Sequence, residues 1–336
     1  MEEKNQTKGQ VTRREFLGSA AAVAAYAMAP RPILGAPAFI QNVDKPNSNF
    51  NGVTIGAITY SYRSMQNQSA EDILGYLTTD GLSSVELMSD PAERFAGMPT
   101  FERIQTPPGT EITDEMRAQM QATRQAQTEE IQKWRLSVSM DKYIALRKLY
   151  NDAGVDIYIV KFDNIGPSMS TEEVDYCFNV AKALGARGIT TEIGDEKAKF
   201  LGPYADKHNL KIAFHNHTQI SPESWNVPFS YGKNLSMNFD IGHYVAGTNL
   251  DPIPIIEKYV EQGRILSLHI KDRKVNNGPN MPLGQGDTPL ALILLLMKKN
   301  QYPFPAHIEL EYSIPEGSDA VAEIKNCVAY CKEVLA

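Results

Sequence analysis

Eight short apolar segments, separated by helical or loop stretches, are the feature that most constrains this chain. They are Val53 to Thr59, Ser84 to Met88, Val155 to Phe162, Gly188 to Ile193, Leu210 to His217, Leu235 to Asp240, Ile265 to Asp272 and Ala306 to Tyr312. Helical patterns at Ala70 to Thr78, Lys142 to Ala153 and Thr171 to Leu184 separate several of them. Strands that alternate with helices imply a parallel sheet, and eight of them imply closure into a (β/α)8 barrel in one domain. A doubly wound open sheet is the other arrangement, but no G-x-G-x-x-G or G-x-x-x-x-G-K-[ST] follows the first strand.

The chain of 336 residues is longer than a barrel of about 250 requires. Two stretches account for the excess. Residues 1–38 carry Thr12-Arg13-Arg14-Glu15-Phe16-Leu17, an Ala-rich apolar run and a small-residue stretch ending Ala36-Pro37-Ala38. This resembles a twin-arginine export signal, with a periplasmic mature protein as the expectation. The apolar run falls short of the roughly 20 residues that span a bilayer, so no stable membrane anchor is expected. Residues 39–52 read as a linker and 53–336 as the barrel. Within it, residues 90–140 interrupt the rhythm with Pro99, Pro107, Pro108 and Gly109, then a polar run from Asp114 to Trp134. That is an insertion after the second strand, and its helix is expected to be solvated.

A formal net charge of -7 argues against a nucleic-acid partner. Three cysteines without a C-x-x-C predict neither a disulfide framework nor a thiolate metal site. Self-association is left open, and the sequence is compatible with a homo-oligomer.

Four of the strand ends present ligand-type side chains: Glu192, Asp240, His269 and Glu311. In a barrel these ends share one face. Carboxylates with an imidazole form a mixed oxygen and nitrogen site suited to Mn²⁺, Mg²⁺, Co²⁺ or Zn²⁺. Such a metal polarises a carbonyl and acidifies the proton on the neighbouring carbon, which a positioned carboxylate then removes. The plainer reading of Asp240-Ile-Gly-His243 is a helix cap followed by a turn.

The series Thr191-Glu192-Ile193, Phe239-Asp240-Ile-Gly-His243, Leu268-His269-Ile-Lys271-Asp272, Gly284-Gln-Gly-Asp287 and Ile308-Glu309-Leu-Glu311-Tyr312 resembles the xylose isomerase-like barrels, and among them the sugar phosphate isomerases/epimerases. The resemblance implies metal ligation by Glu192, Asp240, His269 and Glu311. It makes Glu192 and Glu311 an acid/base pair on opposite faces of a sugar, with His243 bonding the substrate. Glu309 and Glu311 share a face at period two; Glu311 fits the family's L-E-Y, and the alternative makes Glu309 the ligand with Glu311 at the mouth. The chain departs from the ketose epimerases at Ala198, where those enzymes carry a substrate-contacting glutamate.

Other candidates carry two readings each. His217 is a substrate contact or general acid, or else a structural histidine, whereas His215, two residues deeper, reads as structural. Lys271 stabilises an enolate oxygen at the mouth or forms a surface ion pair, and Lys161 has the same two roles open. Glu86 is a pocket residue by position alone. Tyr60, Tyr62 and Trp225 stack on a sugar or pack.

The function expected is therefore a divalent-metal-dependent sugar isomerase or epimerase acting on a small-molecule carbohydrate that carries no phosphate. The alternatives are an eliminative lyase acting on a 3-oxo-glycoside, an endonuclease-like phosphodiesterase, and a non-catalytic sugar-binding barrel.

Overall fold

A computed structural model describes residues 45–102 and 112–336. The expected leader lies outside the described residues. Eight parallel strands form the barrel: β1 Val53–Ile58, β2 Ser84–Met88, β3 Asp156–Lys161, β4 Gly188–Glu192, β5 Lys211–His215, β6 Leu235–Asp240, β7 Ile265–Ile270 and β8 Ala306–Ile308. Each pairs with the next, and β8 returns to β1 to close the ring. The end of the expected linker is itself structured, since Asn49–Phe50 pairs antiparallel with Val53 and Thr54.

Alternation along the strands decides what the barrel holds. On β6, Phe239 faces outward and packs with Trp225 and Tyr244, while Asn238 reaches across the lumen to Glu86 on β2. Trp225 is thus a packing residue. The lumen is unusually polar, holding Ser84, Glu86, Thr190, Asn238, Ser267, His269 and His307, all fully buried or nearly so. Room for His307 comes from Gly56, where a Cβ would lie 2.4 Å from the imidazole.

Helices cover the outside, several with the caps their sequences prescribe. Ser170 and Glu173 form a capping box, and Ser69 and Asp319 cap the helices Ala70–Thr79 and Ala320–Leu335. In the insertion, helices run over Ser89–Phe95 and Asp114–Arg135, and the longer one has no buried residue, as its composition predicts. No described helix is long and apolar enough to cross a membrane.

Candidate metal centre and active site

The carboxyl ends of β5, β6 and β7 and the residue following β8 converge. One ligand atom each from His215, Asp240, His269 and Glu309 lies within 4.8 Å of the others, and all four residues are buried. Register explains the meeting of the middle two, because Asp240 pairs with His269 across β6 and β7. β8 ends at Ile308, so Glu309 projects from the first residue beyond it, with Oε2 3.0 Å from His269 Nδ1.

Asp240 satisfies both readings of its motif. Its Oδ1 accepts the His243 backbone N–H at 2.6 Å and caps helix Ile241–Thr248. Its Oδ2 is buried and receives no hydrogen bond, although Lys271 Nζ lies 3.1 Å away. An orphaned carboxylate oxygen, facing two imidazoles and a second carboxylate, is a donor set that fits a divalent transition metal.

Lys271 supplies positive charge here. Its ammonium lies 3.0 Å from Glu309 and 2.7 Å from Glu311 as well as beside Asp240. Burial alone would lower its pKa, but the three carboxylates outweigh burial and raise it, so the ammonium stays charged. For Glu309, burial acts upward, and Lys271 and His269 together hold it well below the usual carboxylate range. A Cβ on Gly242 would lie 2.4 Å from the Lys271 carbonyl, so only glycine lets the helix start this close to β7.

A second group lies beside the first. Glu192, at the end of β4, is 2.8 Å from Lys161 and 2.9 Å from His217. It pairs in register with His215, and its ligand atoms group with His215 and His217. Burial would raise its pKa, but the His217 and Lys161 contacts drive it well below normal. His217 is raised in turn, chiefly by Glu192. Both groups open onto one cavity of about 320 Å³, walled by Ile58, Tyr60 and Met88 and floored by Glu192, His217 and Glu309.

Of the expected ligands, Asp240 and His269 meet in the inner group, whereas Glu192 lies with His217 and Glu311 lies on Lys271. His215 and Glu309 complete the four. His243 sits between two cations, with Arg273 Nη1 2.8 Å from Nδ1 and Lys271 Nζ 2.8 Å from Nε2. Burial first, then Lys271, lowers its pKa to about 3, leaving it neutral. Residues that the sequence did not single out are Asn238, Thr190 and Arg273. Their signal was inward parity on β4 and β6, and for Arg273 a place two residues beyond Lys271.

The closed ring of eight parallel strands and this mouth define a single-domain (β/α)8 TIM barrel. Over residues 195–330 the chain matches the family described as xylose isomerase-like TIM barrel. Among solved structures, it is similar to the probable 3-DHS dehydratase AsbF involved in petrobactin synthesis from Bacillus anthracis, at 14% identity and TM-score 0.56, covering 83% of this chain and 99% of that one. It is similar also to a sugar phosphate isomerase/epimerase from Parabacteroides distasonis, at 17% identity and TM-score 0.52, over 83% of this chain and 93% of that one. A third is the IOLI protein with a binding zinc atom, at 14% identity and TM-score 0.54, over 84% and 98%. No curated protein matches the chain.

Proposed function

We propose that the chain is a divalent-metal-dependent isomerase or epimerase that moves a proton at the carbon beside a carbohydrate carbonyl. The observation that carries this reading is the buried quartet His215, Asp240, His269 and Glu309, with Asp240 Oδ2 lacking a hydrogen bond. These four are the proposed ligands. The metal, when bound, polarises the substrate carbonyl and so acidifies the neighbouring C–H. The zinc atom named for the IOLI protein is consistent with such a site.

The remaining steps belong to the chain's own groups. Glu192 accepts the proton. Lys161 is buried, whereas the His217 side chain is 55% exposed, so His217 is the partner that substrate would displace to free Glu192 as a base. His243 lies between Arg273 at Nδ1 and the Lys271 ammonium at Nε2, and so helps to hold Lys271 beside the carboxylates. Glu311, drawn against Lys271, exchanges a proton on the other face of the sugar. Lys161 and Lys271 are both already paired with carboxylates and, among the described residues, no arginine lines the cavity, which favours a neutral sugar over a phosphorylated one. The leader with Arg13-Arg14 supports a periplasmic site of action, where free sugars are the available substrates.

Elimination from a 3-oxo-glycoside is the second reading. It is favoured by His217, whose raised pKa makes it a proton donor to a departing aglycone. Deuterium incorporation from D₂O into free sugars and 3-oxo-glycosides tests both. Metal-dependent exchange beside the carbonyl is expected, reduced about 10²–10⁴-fold in Glu192→Gln. Aglycone release without an epimer assigns the lyase, and no exchange with any substrate despite metal binding overturns proton transfer.

A further inference from the structure

Beneath the proposed metal ligands lies a set of hydrogen bonds whose directions are fixed by chemistry. Glu86, on β2, is fully buried. Its Oε1 accepts from Thr190 Oγ1 at 2.5 Å, and its Oε2 lies 2.7 Å from Asn238 Nδ2 and 2.8 Å from His269 Nε2. An ionised carboxylate only accepts, so both neighbours must present N–H to it. For His269 this keeps hydrogen on Nε2, so that Nδ1, which donates to Glu309 in the metal-free protein, is the nitrogen left to give up its proton to a metal in the ligand cluster. For Asn238 it fixes the amide, whose oxygen then lies 2.9 Å from His215 Nδ1. That oxygen requires hydrogen on His215 Nδ1, which leaves Nε2 as the lone pair facing Glu309.

We infer that Glu86, directly and through Asn238, positions both imidazole ligands and selects the tautomer each offers to the metal. The inference rests on the metal-site reading above. Glu86 and Asn238 are positioning residues, for neither touches the cavity. Outer carboxylates on metal-bound histidines lend orientation and basicity, and losing one typically costs about 10–100-fold in metal affinity. Here one carboxylate serves two histidines on different strands.

The test compares wild type, Glu86→Gln and Asn238→Ala, by calorimetric titration with Zn²⁺ and by long-range ¹H–¹⁵N spectra of histidine-labelled, zinc-loaded protein. Wild type is expected to show His215 protonated at Nδ1 and His269 at Nε2. Glu86→Gln retains an acceptor but loses the charge, and is expected to bind Zn²⁺ about 10-fold or more weakly while its metal-free melting stays near wild type. Asn238→Ala is expected to lose the His215 Nδ1–H signature and keep that of His269. The inference is overturned by the opposite tautomers in wild type, or by wild-type zinc affinity in both variants. Wild type that binds no divalent metal sinks the metal-site reading instead, and the positioning role with it. If Asn238→Ala does not fold, the wild-type tautomers and Glu86→Gln still decide.

Discussion

Asp80 is a buried carboxyl with one oxygen bonded by the Tyr62 hydroxyl at 2.6 Å and the other without any partner. Burial raises its pKa to about 7, against the opposing pull of the Tyr62 hydrogen bond. A carboxyl raised in the folded state contributes its full stability below its unfolded pKa of about 4 and loses it as pH climbs through about 7. Urea unfolding is therefore expected to show wild type losing on the order of 2–3 kcal/mol between about pH 4.5 and pH 7.5 from this group. Asp80→Asn, which keeps the Tyr62 bond, should flatten that loss; an identical pH dependence in both proteins would refute it. At the residue scale the sequence was most legible where chemistry and position agree, as at Asp240 and His269. It was least legible where depth decides. Glu309 and Glu311 share a parity, and only the end of β8 at Ile308 puts Glu309 against His269. His215 reads as structural because it lies two residues below His217, yet β5 carries it level with the cluster.

The insertion shows how little holds an element whose surface is mostly polar. Helix Asp114–Arg135 is fastened at its last turn, where Arg135 donates to both oxygens of Glu93 at 2.8 and 3.2 Å and approaches Glu173 at 3.7 Å. Gln132 adds a bond to Glu173, and Trp134 packs edge-on to Tyr176. Glu93 is buried, so Arg135→Ala leaves it without a countercharge, at a cost of about 3–5 kcal/mol. Hydrogen exchange should then be fast along residues 114–132 while β5 to β7 remain protected. Equal loss of protection in the barrel strands would show that the helix is integral to the fold. The helix was plain in the sequence because it is polar on most faces, and the barrel strands were plain because short apolar segments recur between helical patterns. The strand Asn49–Phe50 was not, since two residues carry no period.

Across the whole molecule, alternation on single strands is converted into a site by the stagger between strands. Each strand's parity can be read alone, but depth depends on register: β4 sets Glu192 level with His215, β5 sets His215 level with Asn238, and Asp240 is level with His269. Glu192 therefore joins His217 at one side of the cavity rather than Asp240 beneath it. Sequence spacing contains no information on that stagger, which is why the ring was legible and the membership of the buried cluster was not. Charge supports the same division. Asp240, Glu309 and Glu311 surround one ammonium, Lys271, leaving carboxylate charge for a cation to neutralise. A metal that binds only the folded barrel must then stabilise it, by about 2.7 kcal/mol at a hundredfold excess over Kd, or several degrees in Tm. Asp240→Asn retains a side-chain oxygen to cap helix Ile241–Thr248 but surrenders the charge, so its metal-free melting should stay close to wild type while the metal-induced rise disappears. A variant that melts normally and still gains the full rise from Mn²⁺ or Zn²⁺ would put the cation elsewhere in the barrel.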